Sequence, residues 1–212
     1  MKKIILSFIL VFTLLMTLVA CSGSGGGTAS SRPEGTKEPS VVDTLYDRLN
    51  DLAEASYSMV ELHITTQSGD VELKGAYVLT PDQVTYSVEQ LNLLPSEGTL
   101  DGGSPSYKIT LEGTATIENG KITHFDGDAV ELPSHVELSG AFHFQENYFK
   151  NVQMKDGEFT AEVVSVSAFL GTNQELSDVK LAVKYNDSAF ERIVITYKTE
   201  NASVTTEYVF EK

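Results

Sequence analysis

The amino-acid sequence predicts an α+β fold in which one N-terminal helix packs on a long, curved antiparallel β-sheet of about ten strands. Three observations predict this fold. Hydrophobic residues recur at helical spacing over residues 41–55. From residue 57 onward they alternate with polar residues, as in an antiparallel sheet with one buried face and one solvated face. Short turn motifs separate the alternating segments.

The first 20 residues have the pattern of a secretion signal. Two lysines precede an apolar run over residues 4–19, and the tripeptide Leu-Val-Ala at 18–20 leads directly to Cys21, the only cysteine. A membrane helix that stays in place is one alternative, but the run is shorter than the roughly 20 residues that cross a bilayer. An ordinary secretory signal needs no cysteine here, and a structural cysteine would lack a disulfide partner. We therefore predict that residues 1–20 are removed.

This arrangement resembles the lipobox of bacterial lipoproteins. In that family the cysteine carries a diacylglycerol through a thioether bond. The resemblance implies that Cys21 is acylated and holds the protein on the extracytoplasmic face of the bacterial cell membrane. Two acyl chains anchor a protein where a single chain binds only marginally, because each buried methylene contributes about 0.8 kcal/mol.

Residues 21–39 are predicted to be the acylated cysteine and a flexible tether. Glycine and serine dominate residues 22–38, and no apolar residue there is larger than alanine, so the segment cannot bury enough surface to fold. A flexible chain of this length spans roughly 20 to 25 Å. Residues 40–212 then have a length that suits a single domain with one core.

The predicted helix covers residues 41–55 and begins this domain. Ser40 and Asp43 fit the capping-box pattern, in which a hydroxyl and an acid three residues later satisfy the first backbone N–H groups. The predicted stripe at helical spacing consists of Val42, Leu45, Leu49, Leu52 and Ser56. We expect this stripe to face the sheet.

The alternation is clearest over residues 107–117. Tyr107, Ile109, Leu111, Ala115 and Ile117 are predicted to face one way and the intervening polar residues the other. The other predicted strands are residues 58–65, 71–79, 84–91, 136–144, 149–155, 159–166, 179–185, 190–198 and 204–210, with a short one at 121–125. The order predicts a meander of consecutive antiparallel strands.

The charge and the single cysteine exclude several classes of partner. Removal of the signal takes two of the 15 basic residues and none of the 30 acidic ones, which leaves a formal net charge of −17. Such a surface repels phosphates, so we expect no nucleic-acid partner. With one cysteine the chain has neither a disulfide framework nor a thiolate metal site.

No motif in the sequence indicates catalysis. A GxSxG motif, a Cys/His pair and a phosphate-binding glycine loop are all missing. The histidines, His63, His124, His135 and His143, form no metal-binding pair, and Asp126-Gly127-Asp128 lacks the further ligands of an EF-hand loop. A glycosidase-like carboxylate pair drawn from distant strands stays open. We expect a non-enzymatic protein without a cofactor or bound metal.

The order of one helix followed by a long meander resembles the lipoprotein carriers LolA and LolB and the mycobacterial LppX and LprG group. In those proteins a curved sheet of about eleven strands, a half-barrel, wraps around helices and holds acyl chains. The resemblance implies that residues 107–117 and 136–144 line a cavity. It also places two apolar segments at the mouth of that cavity, with Leu91, Leu93, Leu94 and Leu100 on the first and Phe169 and Leu170 on the second.

Ten strands with one apolar face expose more apolar area than one helix covers. The sheet must therefore curl around the helix, form a two-layer β-sandwich, or take up a ligand. The first predicted function is a non-catalytic, membrane-anchored lipoprotein that binds or carries a lipid-like hydrophobic ligand. The alternative is a structural or protein-interaction lipoprotein of the cell envelope that recruits a protein partner and binds no small molecule.

Overall fold

The computed structural model describes residues 41–93, 106–118, 121–128 and 142–212. In these ranges the chain forms two α-helices, α1 (Val41–Ala53) and α2 (Val166–Leu170), and a 3-10 helix at Glu146–Tyr148. The ten strands are β1 (Met59–Ser68), β2 (Val71–Leu79), β3 (Gln83–Leu93), β4 (Ser106–Glu118), β5 (Lys121–Gly127), β6 (Phe149–Lys155), β7 (Glu158–Val163), β8 (Ser177–Tyr185), β9 (Phe190–Lys198) and β10 (Ser203–Glu211).

All ten strands belong to one antiparallel sheet with the order β5-β4-β3-β2-β1-β10-β9-β8-β7-β6. The first and last strands pair with each other in the middle, so the N-terminal half (β1 to β5) and the C-terminal half (β6 to β10) extend in opposite directions. The described strands thus form a single sheet and not the two separate sheets of a sandwich. This arrangement is consistent with the predicted curved sheet.

The pairing register keeps hydrophobic residues on one face of the sheet, which we call the apolar face. One row of paired residues crosses all ten strands: Gly127, Gly113, Tyr86, Tyr77, Leu62, Tyr208, Ile193, Val183, Phe159 and Met154. The next residues along the strands include Glu61, Thr85, Lys184 and Arg192, and they lie on the opposite, polar face. Because side chains alternate with period two, this register places the core on one side only.

Helix α1 packs against the apolar face of the C-terminal half. Tyr46, Leu49, Leu52 and Ala53 are buried along one side of the helix. The ring of Tyr46 stacks on Phe149 with centroids 6.0 Å apart and meets Phe159 edge-on at 6.2 Å. Helical spacing therefore predicted the burial of Leu49 and Leu52 but missed Tyr46 and Ala53, while Leu45 is only half-buried and Ser56 is exposed.

Aromatic rings fill the space between α1, α2 and this half of the sheet. Phe144 contacts Phe149, Phe159, Phe169 and Phe190, with ring centroids 5.6 to 6.4 Å apart. Offset and edge-to-face contacts of this kind contribute about 0.5 to 1.5 kcal/mol per pair beyond the burial of their area. The C-terminal half is thereby closed by a core of rings.

Polar side chains fix α1 to this core. The Asn50 amide donates to the carbonyl of Phe144 (3.0 Å) and accepts from its N–H (2.7 Å). The hydroxyl of Tyr57 donates to the carbonyl of Leu52 and accepts from the N–H of Phe190, both at 2.9 Å. These bonds satisfy backbone groups that would otherwise be left without partners beside the core.

Most of the predicted strands are confirmed, and β2, β6 and β9 have the predicted bounds. The predicted strand at 136–144 is wrong at residues 142–144, which form no strand because Asn50 binds both backbone groups of Phe144. The rest of that strand lies outside the described residues, as does Ser40. The second apolar segment, predicted as a loop over residues 165–176, contains α2. The predicted strand at 159–166 ends at Val163.

A glycine in β4 makes room for a tyrosine from β3. Tyr86 and Gly113 are directly paired, and the Tyr86 hydroxyl crosses β4 to donate a hydrogen bond to the carbonyl of Asp128 beyond β5. A Cβ atom at position 113 would collide with the ring and hydroxyl of Tyr86 and with the carbonyl oxygen of Asp126. The gap in the alternating pattern at Gly113 is therefore a packing requirement of Tyr86.

We predict that Gly113→Ala lowers the free energy of unfolding by about 1 to 3 kcal/mol, because the added methyl overpacks the contact with Tyr86. Chemical denaturation of the two proteins measures the difference. The same substitution in a Tyr86→Val background should cost much less, since the ring is gone. Equal losses in both backgrounds would contradict the packing account.

Candidate functional site

The apolar face differs between the two halves of the sheet. On the N-terminal half, Leu73, Val88, Ile109 and Leu111 are only half-buried. They belong to two neighbouring rows of the register, in which Val88 pairs with Leu111, and Gln90 pairs with both Leu73 and Ile109. We call these four hydrophobic residues the aliphatic patch.

Gly75 lies beside this patch and adds no side chain to the apolar face. It pairs with Val88 on one side and with Ile64 on the other. Ile64 in turn pairs with Thr206 of β10. One row therefore connects the aliphatic patch with the centre of the sheet across a residue that has no side chain.

Hydroxyl groups interrupt the apolar face at the centre of the sheet. Thr66, Tyr197 and Thr206 lie on the adjacent strands β1, β9 and β10, and their exposed fractions are 4%, 3% and 3%. Among the described residues, the Tyr197 hydroxyl and Thr206 Oγ1 have no hydrogen-bond partner except each other. We call Tyr197 and Thr206 the hydroxyl pair.

The two groups of the hydroxyl pair are close enough to affect each other. Burial raises the pKa of Tyr197 well above its ordinary value, and the nearby Tyr208 raises it further. The hydroxyl of Thr206 acts in the opposite direction and lowers the pKa of Tyr197. Burial also raises the pKa of Tyr208 to about 12 and that of Tyr77 above its ordinary value. All of these tyrosines are therefore neutral at physiological pH.

We predict that the free energy of unfolding falls as the pH rises from about 10 to about 12. The pKa of Tyr208 is raised in the folded chain, so its stabilising effect is complete below the unfolded pKa near 10 and is lost as the pH approaches 12. Tyr208→Phe should reduce this alkaline loss by up to about 2 kcal/mol. Denaturation at pH 8 and at pH 11.5 measures it. An equal loss in both proteins would contradict the burial of this phenol.

The first predicted binding segment lies partly outside the described residues. Leu91 is half-buried in β3 and pairs with Glu72 and Lys108, so it lies on the polar face and not on the face of Val88. Leu93 ends β3 opposite Ser106. Leu94, Leu100 and the acylation site Cys21 lie outside the described residues.

The second predicted binding segment is part of the core. Phe169 and Leu170 lie in α2 and are 2% and 7% exposed. The Phe169 ring contacts Phe142, Phe144 and Phe149 at 5.1 to 6.0 Å between centroids. These residues therefore close the C-terminal half of the apolar face, and a role for them in binding stays a prediction.

Sequence reasoning missed Gly75, Tyr197 and Thr206. The signal for Thr206 is a polar residue at a position where the alternation around Val204 and Tyr208 requires a residue of the apolar face. Tyr197 gives no such signal, because tyrosine is a common residue in the core of a β-sheet. Only the register brings its strand next to that of Thr206.

Titratable side chains of the described ranges do not converge on one point. No group of three or more His, Cys, Asp and Glu residues there could hold a metal ion. His63 lies 3.5 Å from Glu61 on β1, and His143 lies 2.8 Å from the Gln145 side chain. Asp128 accepts a hydrogen bond from the backbone N–H of Glu112 at 3.1 Å and so closes the end of β5. His135 lies outside the described residues.

An open groove of about 560 Å³ crosses the C-terminal half of the sheet, with charged residues of the polar face along it. Lys198 and Asp178 pair across it at 2.7 Å, and Lys150 and Glu162 at 3.1 Å. The hydrogen bond from Lys198 lowers the pKa of Asp178, and bonds from Asn151 and Lys150 lower that of Glu162. This mixture of charges favours neither an anion nor an apolar ligand.

No protein-family model matches the chain, and a search of curated proteins finds no match. In the part of the chain that the structure describes, no helix has the length and apolar character needed to cross a membrane. We therefore infer the function from the residues and their geometry.

Proposed function

We propose that this protein is a membrane-anchored, extracytoplasmic bacterial lipoprotein that binds or carries a lipid-like hydrophobic ligand and catalyses no reaction. The aliphatic patch is the observation that carries the proposal. It belongs to a face that is otherwise the core of the protein, yet Val88 and Leu111 are only half-buried there, while Phe144 and Phe159 on the other half are fully buried. Within the described residues, the aliphatic patch is thus a less covered part of an otherwise buried apolar face, and such a part is suited to bind an apolar molecule.

The energetics support a ligand at this position. Each Å² of apolar surface removed from water contributes about 25 cal/mol, so four partly exposed aliphatic side chains leave stabilisation that an acyl chain can supply. The chain gains about 0.8 kcal/mol for each methylene that it buries. Pockets for such ligands are lined mainly by hydrophobic residues, with few polar groups. The described apolar face has this composition.

The strand order supports a half-barrel like that of the LolA, LolB, LppX and LprG carriers. Such a sheet has two edges, and β5 and β6 are the ends of the observed order. In a half-barrel the apolar face lies on the inside, where helices cover part of it. In the described part of the chain, α1 and α2 lie against β6 to β10, and the ligand would cover the aliphatic patch on the N-terminal half.

The N-terminal sequence pattern supports the location. The lipobox-like Leu-Val-Ala-Cys would place Cys21 at the membrane, and the tether at residues 22–39 would separate the folded domain from it. The acidic surface of the domain is repelled by anionic lipid head groups, which keeps it free to turn on its tether. The protein would then meet its ligand beside the membrane.

We predict that Cys21→Ser abolishes acylation and releases the protein from the membrane fraction, because the thioether requires the cysteine sulfur. Metabolic labelling with an alkyne fatty acid in a bacterial host, followed by fractionation, measures both effects. The neighbouring substitution Ser22→Ala should leave labelling and fractionation unchanged. Persistent labelling of the Cys21→Ser protein would contradict the proposed anchor.

We predict that Val88→Asp weakens binding of the neutral apolar dye diphenylhexatriene about tenfold or more, because a carboxylate in the aliphatic patch disfavours an apolar ligand. Thr85→Asp is the matched control, since it places the same charge on the polar face of the same strand, opposite Val78 and Thr114. Dye fluorescence measures affinity, and circular dichroism checks that both variants are folded. Failure of the delipidated wild-type chain to bind the dye would contradict the proposal.

An envelope protein that recruits a partner is the second candidate, and the edge strand β6 favours it. Val152 and Met154 are 38% and 49% exposed there, and among the strands that the structure describes β6 pairs only with β7. An exposed edge can accept a strand from another protein. Crosslinking on intact cells from position 152 would detect such a partner, and dye binding would then be absent.

A further inference from the structure

Strand β6 is an edge of the described sheet, and its middle lacks the features that protect edge strands. Of the seven residues of β6, only Phe149 is buried. Lysines and β-bulges commonly protect an edge from pairing with another chain. Here Lys150 and a bulge lie towards one end of the strand and Lys155 lies at the other. The segment between them, residues 152–154, carries no charge and no bulge.

The bulge turns two hydrophobic side chains of this segment to the apolar face. The pairing of β6 with β7 shifts between Lys150 and Gln153, and Asn151 occupies the extra position with a φ of 53°. Because of this shift, Val152 and Met154 lie on the apolar face, where they are 38% and 49% exposed. Regular alternation from the start of the strand would have placed both on the polar face.

The turn after β6 determines which backbone groups of the strand face outward. Asp156 and Gly157 have φ values of 46° and 80°, as in the two-residue type I′ turn of a hairpin. The residues on either side of such a turn form a hydrogen-bonded pair. Hydrogen-bonded and non-hydrogen-bonded pairs alternate along antiparallel strands. Both backbone groups of Met154 and the carbonyl of Val152 therefore point away from β7.

This edge is complementary to a second copy of itself. If two copies of β6 lie antiparallel with Gln153 opposite Gln153, Val152 of each copy faces Met154 of the other. The N–H of each Met154 can then donate to the carbonyl of Val152 in the other copy. Lys150 comes opposite Asp156 of the other copy, which carries the opposite charge. A shift of two residues would instead set Met154 against Lys150.

We propose that two copies of this chain associate through β6, antiparallel and with a two-fold axis at Gln153. The apolar faces of the two copies then lie on the same side of one continuous sheet. Because both copies use the same strand, the assembly closes as a dimer and does not grow into a fibre. The contact is short, so the dimer is weak. This inference is independent of the proposed ligand.

A cysteine at the proposed axis tests the pairing in the full chain. Residues opposite each other in a non-hydrogen-bonded pair have Cα atoms about 4.5 Å apart, which a disulfide can join. We expect Gln153→Cys to form a disulfide-linked dimer on intact bacterial cells under mild oxidation, as non-reducing electrophoresis would show. His124→Cys is the matched control, because it is exposed on the other edge strand, β5. The wild-type chain controls for Cys21.

A second measurement tests the hydrophobic contact without a cysteine. Sedimentation of residues 22–212, which contain every described element, should show a monomer–dimer equilibrium with a Kd below about 1 mM. We expect Val152→Lys to weaken the dimer about tenfold or more, because it places an ammonium group against Met154 of the other copy. Phe125→Lys changes an exposed residue of β5 in the same way and should leave the dimer unchanged. Circular dichroism checks that both variants are folded.

Three results would overturn this inference. The first is no more disulfide-linked dimer from Gln153→Cys than from His124→Cys, or a crosslink to a different protein in place of a second copy. The second is a wild-type chain that stays monomeric up to about 1 mM. The third is a dimer that Val152→Lys leaves intact, since the contact would then lie elsewhere. The proposed function is tested separately, because dye binding does not depend on β6.

Discussion

The pairing of β1 with β10 holds the two halves of the chain in one sheet, and every other feature of the fold depends on its register. Nine residue pairs, from Met59 with Glu211 to Gln67 with Ser203, join the strand after α1 to the last strand of the chain. A slip by one residue would turn Leu62 and Ile64 to the polar face and break the apolar row at its centre. The same pairing places Thr206 beside Ile64 and so brings the hydroxyl pair next to the N-terminal half. Fold and candidate site therefore share one constraint.

The two halves of the apolar face have different compositions, and this difference makes the sheet asymmetric. Phenylalanine rings from α2, from residues 142–149 and from β7 close the C-terminal half, and Asn50 fixes the segment that carries Phe144. In the N-terminal half, Tyr77 and Tyr86 are buried, whereas the aliphatic patch beside Gly75 is only half-buried. Rings in mutual contact leave little room for a guest molecule, whereas aliphatic side chains around a glycine do not fill their face. The proposed ligand would complete the core that the C-terminal half completes by itself.

Sequence patterns predicted the strands whose structure depends on local alternation. They failed where contacts join residues that are distant in the sequence. Strands such as β2 and β9 have one buried and one exposed face, so alternation alone gave their bounds. The segment before Phe149 alternates too, but Asn50, 94 positions away from Phe144, takes its hydrogen bonds and prevents a strand at 142–144. The interruption of the alternating pattern at Gly113 is explained only by the pairing of Gly113 with Tyr86 on the neighbouring strand. The hydroxyl pair was also beyond prediction, because it arises from the register of two strands and not from a motif.

Native mass spectrometry of residues 40–212, isolated from bacterial cells without added lipid, tests the central claim most directly. The account predicts a reproducible added mass that organic solvent extracts and that analysis identifies as an acyl-chain-containing lipid. A clean protein mass, repeated after incubation with a total membrane-lipid extract, would contradict the account. The half-buried aliphatic patch would then be a feature of the fold without a ligand, and the exposed edge at β6 would become the functional surface to examine.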